Sequence, residues 1–124
     1  MRTGAIVAKK PAGKNKAKNV LVMLTYSPER EPVSMRVAEA NVQAFVRDVN
    51  QQRQNRGRSK MYYACATRQS STGRYYHNIA FGREADAVEA GCFWNLGMSR
   101  VIKLGEDAED ITAYIYMDPY DKER

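Results

Sequence analysis

Five apolar residues, Ala38, Val42, Phe45, Val46 and Val49, recur at helical spacing between positions that are mostly polar. That spacing makes one stripe on an amphipathic helix. Ser34 is its natural N-cap, and the pattern runs to about Arg53. Arg36, Glu39, Gln43 and Arg47 fall on the other face. A helix with a single apolar stripe must bury it against another element, and the neighbouring segments read as strands. Val20 to Tyr26 is a short apolar run ended by Pro28 and Pro32. Met61 to Thr67 and Tyr75 to Phe81 are two further strands, joined by a small, polar, hairpin-like link that contains Gly73.

The second half repeats the pattern. Glu84 to Trp94 has helical composition, with Ala85, Val88 and Cys92 or Trp94 expected on its inner side. Gly97 to Leu104 is the last expected strand, and Asp107, Glu109 and Asp110 crowd the start of a final helix, where negative charge suits the dipole. The strand-helix-strand-strand-helix-strand order predicts an α+β fold, an antiparallel sheet with helices packed on one face in a ferredoxin-like split arrangement. At 124 residues the chain is expected to form one domain over 19–124, preceded by a flexible basic arm over 1–18.

Charge is distributed unevenly. Residues 1–80 hold fifteen Lys and Arg against four Asp and Glu, whereas 81–124 hold five against ten. A basic front suits a protein that presents one face to a polyanion. The arm carries Lys14, Lys16 and Lys18 with no acid, and such a segment adds salt-sensitive phosphate affinity. A second basic stretch, 51–60, reads as a polar link with Arg53, Arg56, Arg58 and Lys60 available for phosphate. No apolar run is long enough to span a bilayer, and the N-terminus lacks the apolar core of a signal peptide. Cys65 and Cys92 lack zinc-type or redox-type spacing and are expected to be buried in a reducing, cytoplasmic setting.

The stretch Gly73 to Phe81 (GRYYHNIAF) has an unusual polar centre. Side chains alternate along a strand, so Tyr76 and Asn78 share one face and the only histidine, His77, points to the other. In its setting this strand resembles the signature strand of the HUH endonucleases, the tyrosine-dependent nickases that start rolling-circle replication. Asn19 to Pro32 (NVLVMLTYSPEREP) resembles the first motif of that family, and Phe93 to Gly97 (FWNLG) its Trp-x-x-Gly segment. Ile111 to Pro119 (ITAYIYMDP) resembles the helix that carries the nucleophile. The order and spacing of these matches, more than any one of them, carries the resemblance.

The resemblance implies a grip on single-stranded DNA, a divalent metal on the scissile phosphate and attack by a tyrosine oxygen. Two histidines at i and i+2, with an acid on the neighbouring strand, would hold that metal. Here those positions carry Tyr76 and Asn78, with Arg68 or Thr67 in place of the acid. Tyr114 matches the catalytic tyrosine, but Met117 stands where the family has a lysine. No cofactor is therefore expected, and Mn²⁺ or Mg²⁺ only if the chain cuts. Tyr62, Tyr63, Tyr75 and Tyr76 lie on adjacent strands beside Arg68 and Arg74, a combination that can stack bases and take phosphates, with Asn78 on the former metal face. Tyrosine is equally a favoured strand residue wherever one end is wet.

The leading expectation is a nucleic-acid-binding protein derived from a rolling-circle initiator of a phage or other mobile element, catalytically impaired and binding single-stranded DNA or other nucleic acid. Two alternatives stay open. One is an active nickase using Tyr114. The other is a small phage-type inhibitor, such as an anti-CRISPR, that acts by contact with a host nucleic-acid-handling protein.

Overall fold

The structure is a computed structural model that describes residues 6–8, 20–61, 63–81, 83–103 and 118–120. In chain order its elements are β1 (Ile6–Ala8), β2 (Val20–Thr25), a 3-10 turn (Pro28–Arg30), α1 (Met35–Asn55), β3 (Tyr63–Gln69), β4 (Tyr75–Phe81), α2 (Glu84–Gly91) and β5 (Ser99–Lys103). The strands form one antiparallel sheet in the order β1-β3-β4-β2-β5. Without β1, this is the order of a split β-α-β pair, with α1 and α2 as the two crossovers. The fold is α+β, as the patterning requires. No helix among the described residues is long and apolar enough to cross a membrane.

Both helices pack on one face of the sheet. Val20, Val22 and Leu24 of β2 and Cys65, Ile79 and Phe81 of β3 and β4 meet Ala38, Val42, Phe45, Val46 and Val49 of α1 and Ala87 and Ala90 of α2 in one cluster. Burying each large apolar side chain contributes roughly 1.5–3 kcal/mol, so the stripe holds α1 in place. Ser34 caps α1 as expected, its hydroxyl accepting from the Val37 N–H at 3.2 Å. Leu21, Met23, Ala66 and Ala80 form a smaller cluster on the other face. β2 is thus covered on both sides, which explains its unbroken apolar run.

Four local expectations change. Ile6–Ala8, assigned to the basic arm, pairs with Ala64–Ala66 as an edge strand. Three consecutive uncharged residues led by two β-branched ones suffice for a short edge. β3 begins two residues later than expected. α1 extends to Asn55, so half of the expected 51–60 link is helix, and a Gln51–Asn55 side-chain hydrogen bond of 3.1 Å braces its last turn. Gly57, at φ 74°, then takes the left-handed conformation that turns the chain away.

The fourth change is the rotation of α2. Its buried residues are Asp86, Ala87, Ala90 and Gly91, while Ala85, Val88 and Cys92 face outward and Trp94, the alternative to Cys92, is buried. The cause lies in α1. Arg53 continues the apolar stripe four residues after Val49 and is buried, donating to Asp86 at 3.1 Å, to Glu89 at 2.7 Å and to the Ser59 carbonyl at 2.7 Å. A buried guanidinium needs its charge matched, so α2 turns its carboxylates inward. Cys92 is exposed as a result, contrary to expectation, and Cys65 is buried. The expected final helix lies outside the described residues.

Candidate nucleic-acid interface

β4 is the central element of the site because it displays polar residues on both faces. Its register with β2 and β3 is fixed by seven ladder positions to β3 and six to β2. Arg68 lies directly opposite Tyr76, and Ala66 opposite Asn78. On the other side Thr25 faces Tyr76 and Met23 faces Asn78. Arg68, Tyr76 and Asn78 therefore converge on the sheet face turned away from the helices.

What converges there is not a ligand set. Tyr76 and Asn78 are buried, and Arg68 is half-buried. Burial, reinforced by Asp118 and opposed by Arg68, pushes the Tyr76 phenol up to about 12, so it stays neutral and offers no phenolate. A guanidinium repels a divalent ion, and a lone amide oxygen is a single neutral donor. Mn²⁺ or Mg²⁺ does not fit these residues. Among the described residues no group of three or more His, Cys, Asp or Glu could hold a metal ion. Tyr120 packs edge-on against Tyr76, with ring centroids 6.4 Å apart, and carries the Arg74 guanidinium 4.8 Å above its ring.

His77, on the helix side, is fully buried and bracketed by hydroxyls. Its Nε2 lies 2.7 Å from the Tyr26 hydroxyl and its Nδ1 2.7 Å from the Thr67 hydroxyl. Asn41 Nδ2 donates to the same Tyr26 oxygen at 3.3 Å. A neutral imidazole has one N–H and one lone pair, and a hydroxyl at each nitrogen matches either tautomer. Burial lowers the ring to about 3, so it is neutral at physiological pH. Burial also raises Tyr26 to about 12 despite the Asn41 hydrogen bond, and Cys65 to about 12 despite one from Thr67. His77 is thus a packed, neutral residue.

The Trp-x-x-Gly segment serves the same core. Trp94 Nε1 donates to the Thr25 carbonyl at 2.9 Å, and its ring meets those of Tyr26, Phe45 and His77 edge-on. A Cβ at Gly97 would collide with the Thr25 carbonyl oxygen and reach 2.6 Å from the Tyr26 Cα. Glycine there lets the chain before β5 lie against the end of β2, where Thr25 and Met98 exchange hydrogen bonds of 2.9 and 3.1 Å. Both motif residues have structural work at the end of β2.

The basic residues divide sharply. Arg53, expected in an open link, sits in the interior ion-pair cluster and cannot reach a phosphate. Arg58 is exposed but bound to Glu89 at 3.2 Å. Arg74 is half-buried, held by Glu31 at 3.0 Å and donating to the Tyr26 carbonyl. Glu31 also accepts from the Tyr75 N–H at 2.7 Å, so this carboxylate fixes the start of β4. Arg56 is exposed. Tyr114, Lys14, Lys16 and Lys18 lie outside the described residues.

Tyr63 is half-buried beside the core, burial raising its phenol, and it lines a cleft of about 550 Å³ between α1 and the start of β3. Gln43, Arg47, Asn50 and Gln54 form the helical wall, and Lys60 stands with Tyr63 on the other. The sequence reading placed Gln43 and Arg47 on the outer face of α1 but did not connect them to Tyr63. Their continuation into Asn50 and Gln54 at 4-3-4 spacing was the available signal. Neither a family model, nor a curated protein, nor a solved structure matches this chain.

Proposed function

We propose that this chain binds single-stranded nucleic acid without cutting it, as a catalytically impaired relative of the rolling-circle initiators it resembles. The observation that carries the reading is the convergence of Arg68, Tyr76 and Asn78 on one sheet face. Tyr76 and Asn78 are buried on that face, and the partly exposed residue beside them, Arg68, is a cation, which supports contact with a polyanion and not coordination of a divalent ion. The formal net charge of +6 points the same way.

The test is binding of a fluorescent single-stranded DNA pool at two salt concentrations, with and without Mn²⁺, followed by a denaturing gel. The expected result is salt-sensitive binding with neither cleavage nor a covalent adduct. Metal-dependent cleavage that disappears in Tyr114→Phe would replace this reading with an active nickase.

A second reading rests on the opposite edge of the sheet. Among the described residues β5 has β2 as its only strand neighbour, and Met98, Val101 and Val88 are exposed there or close by. An open edge with apolar neighbours suits contact with a protein. Absence of nucleic-acid binding at both salt concentrations, together with a stable complex with a host nucleic-acid-handling protein, would favour it.

A further inference from the structure

The geometry points to the cleft between α1 and the start of β3 as the seat of single-stranded nucleic acid, with bases against the amides of α1 and phosphates on Arg47 and Lys60. This inference rests on the proposed nucleic-acid reading and gives it a location away from the former metal face.

Gln43, Arg47, Asn50 and Gln54 form one ridge along α1, beside the apolar stripe that holds the helix to the sheet. At 1.5 Å per residue the ridge is roughly 16 Å long, a shape for an extended ligand. Asn50 Oδ1 accepts from the Met61 N–H at 3.0 Å and ties the two walls together. Gln43 and Gln54 are exposed, and their side chains make no hydrogen bond to the described residues. The volume of about 550 Å³ lies within the ~300–1,000 Å³ usual for ligand clefts.

The chemistry of the lining selects the ligand. Among the described residues no Asp or Glu lines the cleft. Arg47 and Lys60 are exposed and have no ion-pair partner among the described residues, whereas Arg53, Arg58 and Arg74 are each engaged by carboxylates. Cations alone would suit any polyanion. Primary amides add a paired donor and acceptor that match a base edge, above all the N6 and N7 of adenine. Tyr63 supplies an aromatic ring of the kind on which bases stack. The start of β3 is also where the chain leaves β1, since Ala8 pairs with Ala64, next to Tyr63.

The experiment titrates labelled oligo-dA, oligo-rA and oligo-dT of equal length into the full chain over a salt series. Arg47→Ala/Lys60→Ala is expected to weaken binding at least tenfold and to lower the slope of log K against log salt by about two. Gln43→Ala/Gln54→Ala is expected to abolish a preference for adenine. All four side chains are polar and at the surface of α1 or its following turn, so folding is preserved. Arg30→Ala/Arg36→Ala removes the same charge from exposed positions outside the cleft and is expected to matter less.

Tighter binding of the ribo- or deoxyribo-oligomer assigns the cleft to RNA or DNA. Binding that survives in the cleft variants, or falls equally in the Arg30/Arg36 control, overturns the location and leaves the nucleic-acid reading standing. No binding of any oligomer by the wild type overturns both.

Discussion

The two faces of β4 carry buried polar groups one residue apart and integrate them differently. On the helix side His77 lies between the Tyr26 and Thr67 hydroxyls, each at 2.7 Å. Those hydroxyls come from the end of β2 and the middle of β3, so one imidazole joins three adjacent strands. On the opposite face Tyr76 is as deeply buried, but it packs by its ring against Tyr120. Burial alone therefore does not reveal the role of a polar residue. The partners do, and they make His77 a structural hub despite its place in a strand that resembles a metal-binding one.

Replacing the hub has the largest expected effect. His77→Leu keeps the bulk but leaves two buried hydroxyls without their shared partner, at a cost of about 2–4 kcal/mol in urea denaturation near neutral pH. The cost should depend on pH. The folded ring titrates near 3, below its ordinary 6.5, so between those values the unfolded chain binds the extra proton. The neutral ring's contribution is complete above 6.5 and is lost as pH falls toward 3. From about pH 8 to about pH 5 the wild type should lose ~2 kcal/mol that the leucine variant does not lose. A constant gap between the two proteins over that range would mean that His77 is accessible to protons when folded.

How much of this was legible in the sequence depended on the range of the interaction. The parity that separates His77 from Tyr76 and Asn78 is local, and it survived intact. So did the α1 stripe and its Ser34 cap. The partners of His77 were not legible, because Tyr26 is 51 positions away and only the sheet register brings it near. Arg53 was misread for a related reason. Its neighbours Gln51, Gln52, Gln54 and Asn55 look like a solvated link, and only the four-residue step from Val49 marks it as inward. Once Arg53 is inside, Asp86 and Glu89 must follow, and that reverses the face of α2. The cleft falls between these cases. Its helical ridge could be read from 4-3-4 spacing, but its second wall required the fold.

The smallest expected effects sharpen the contrast between the faces most directly, because they remove one oxygen from each. Tyr26→Phe leaves the ring among Trp94 and His77 but takes the hydroxyl from His77 Nε2 and Asn41 Nδ2. A buried nitrogen losing its partner costs about 1–2 kcal/mol, visible as a lower urea midpoint with unchanged slope. Tyr76→Phe keeps the edge-on contact with Tyr120 and leaves the bonds to His77 intact, so the shift should be the smaller of the two, ~0.5–1 kcal/mol. Equal losses in the two variants would show that the Tyr76 oxygen is as firmly engaged as that of Tyr26, and the faces of β4 would then differ in composition but not in how they hold their polar groups. A Tyr76→Phe variant that is stable yet binds single-stranded DNA more weakly would instead place that hydroxyl at a ligand, on the face where the family resemblance puts the scissile phosphate.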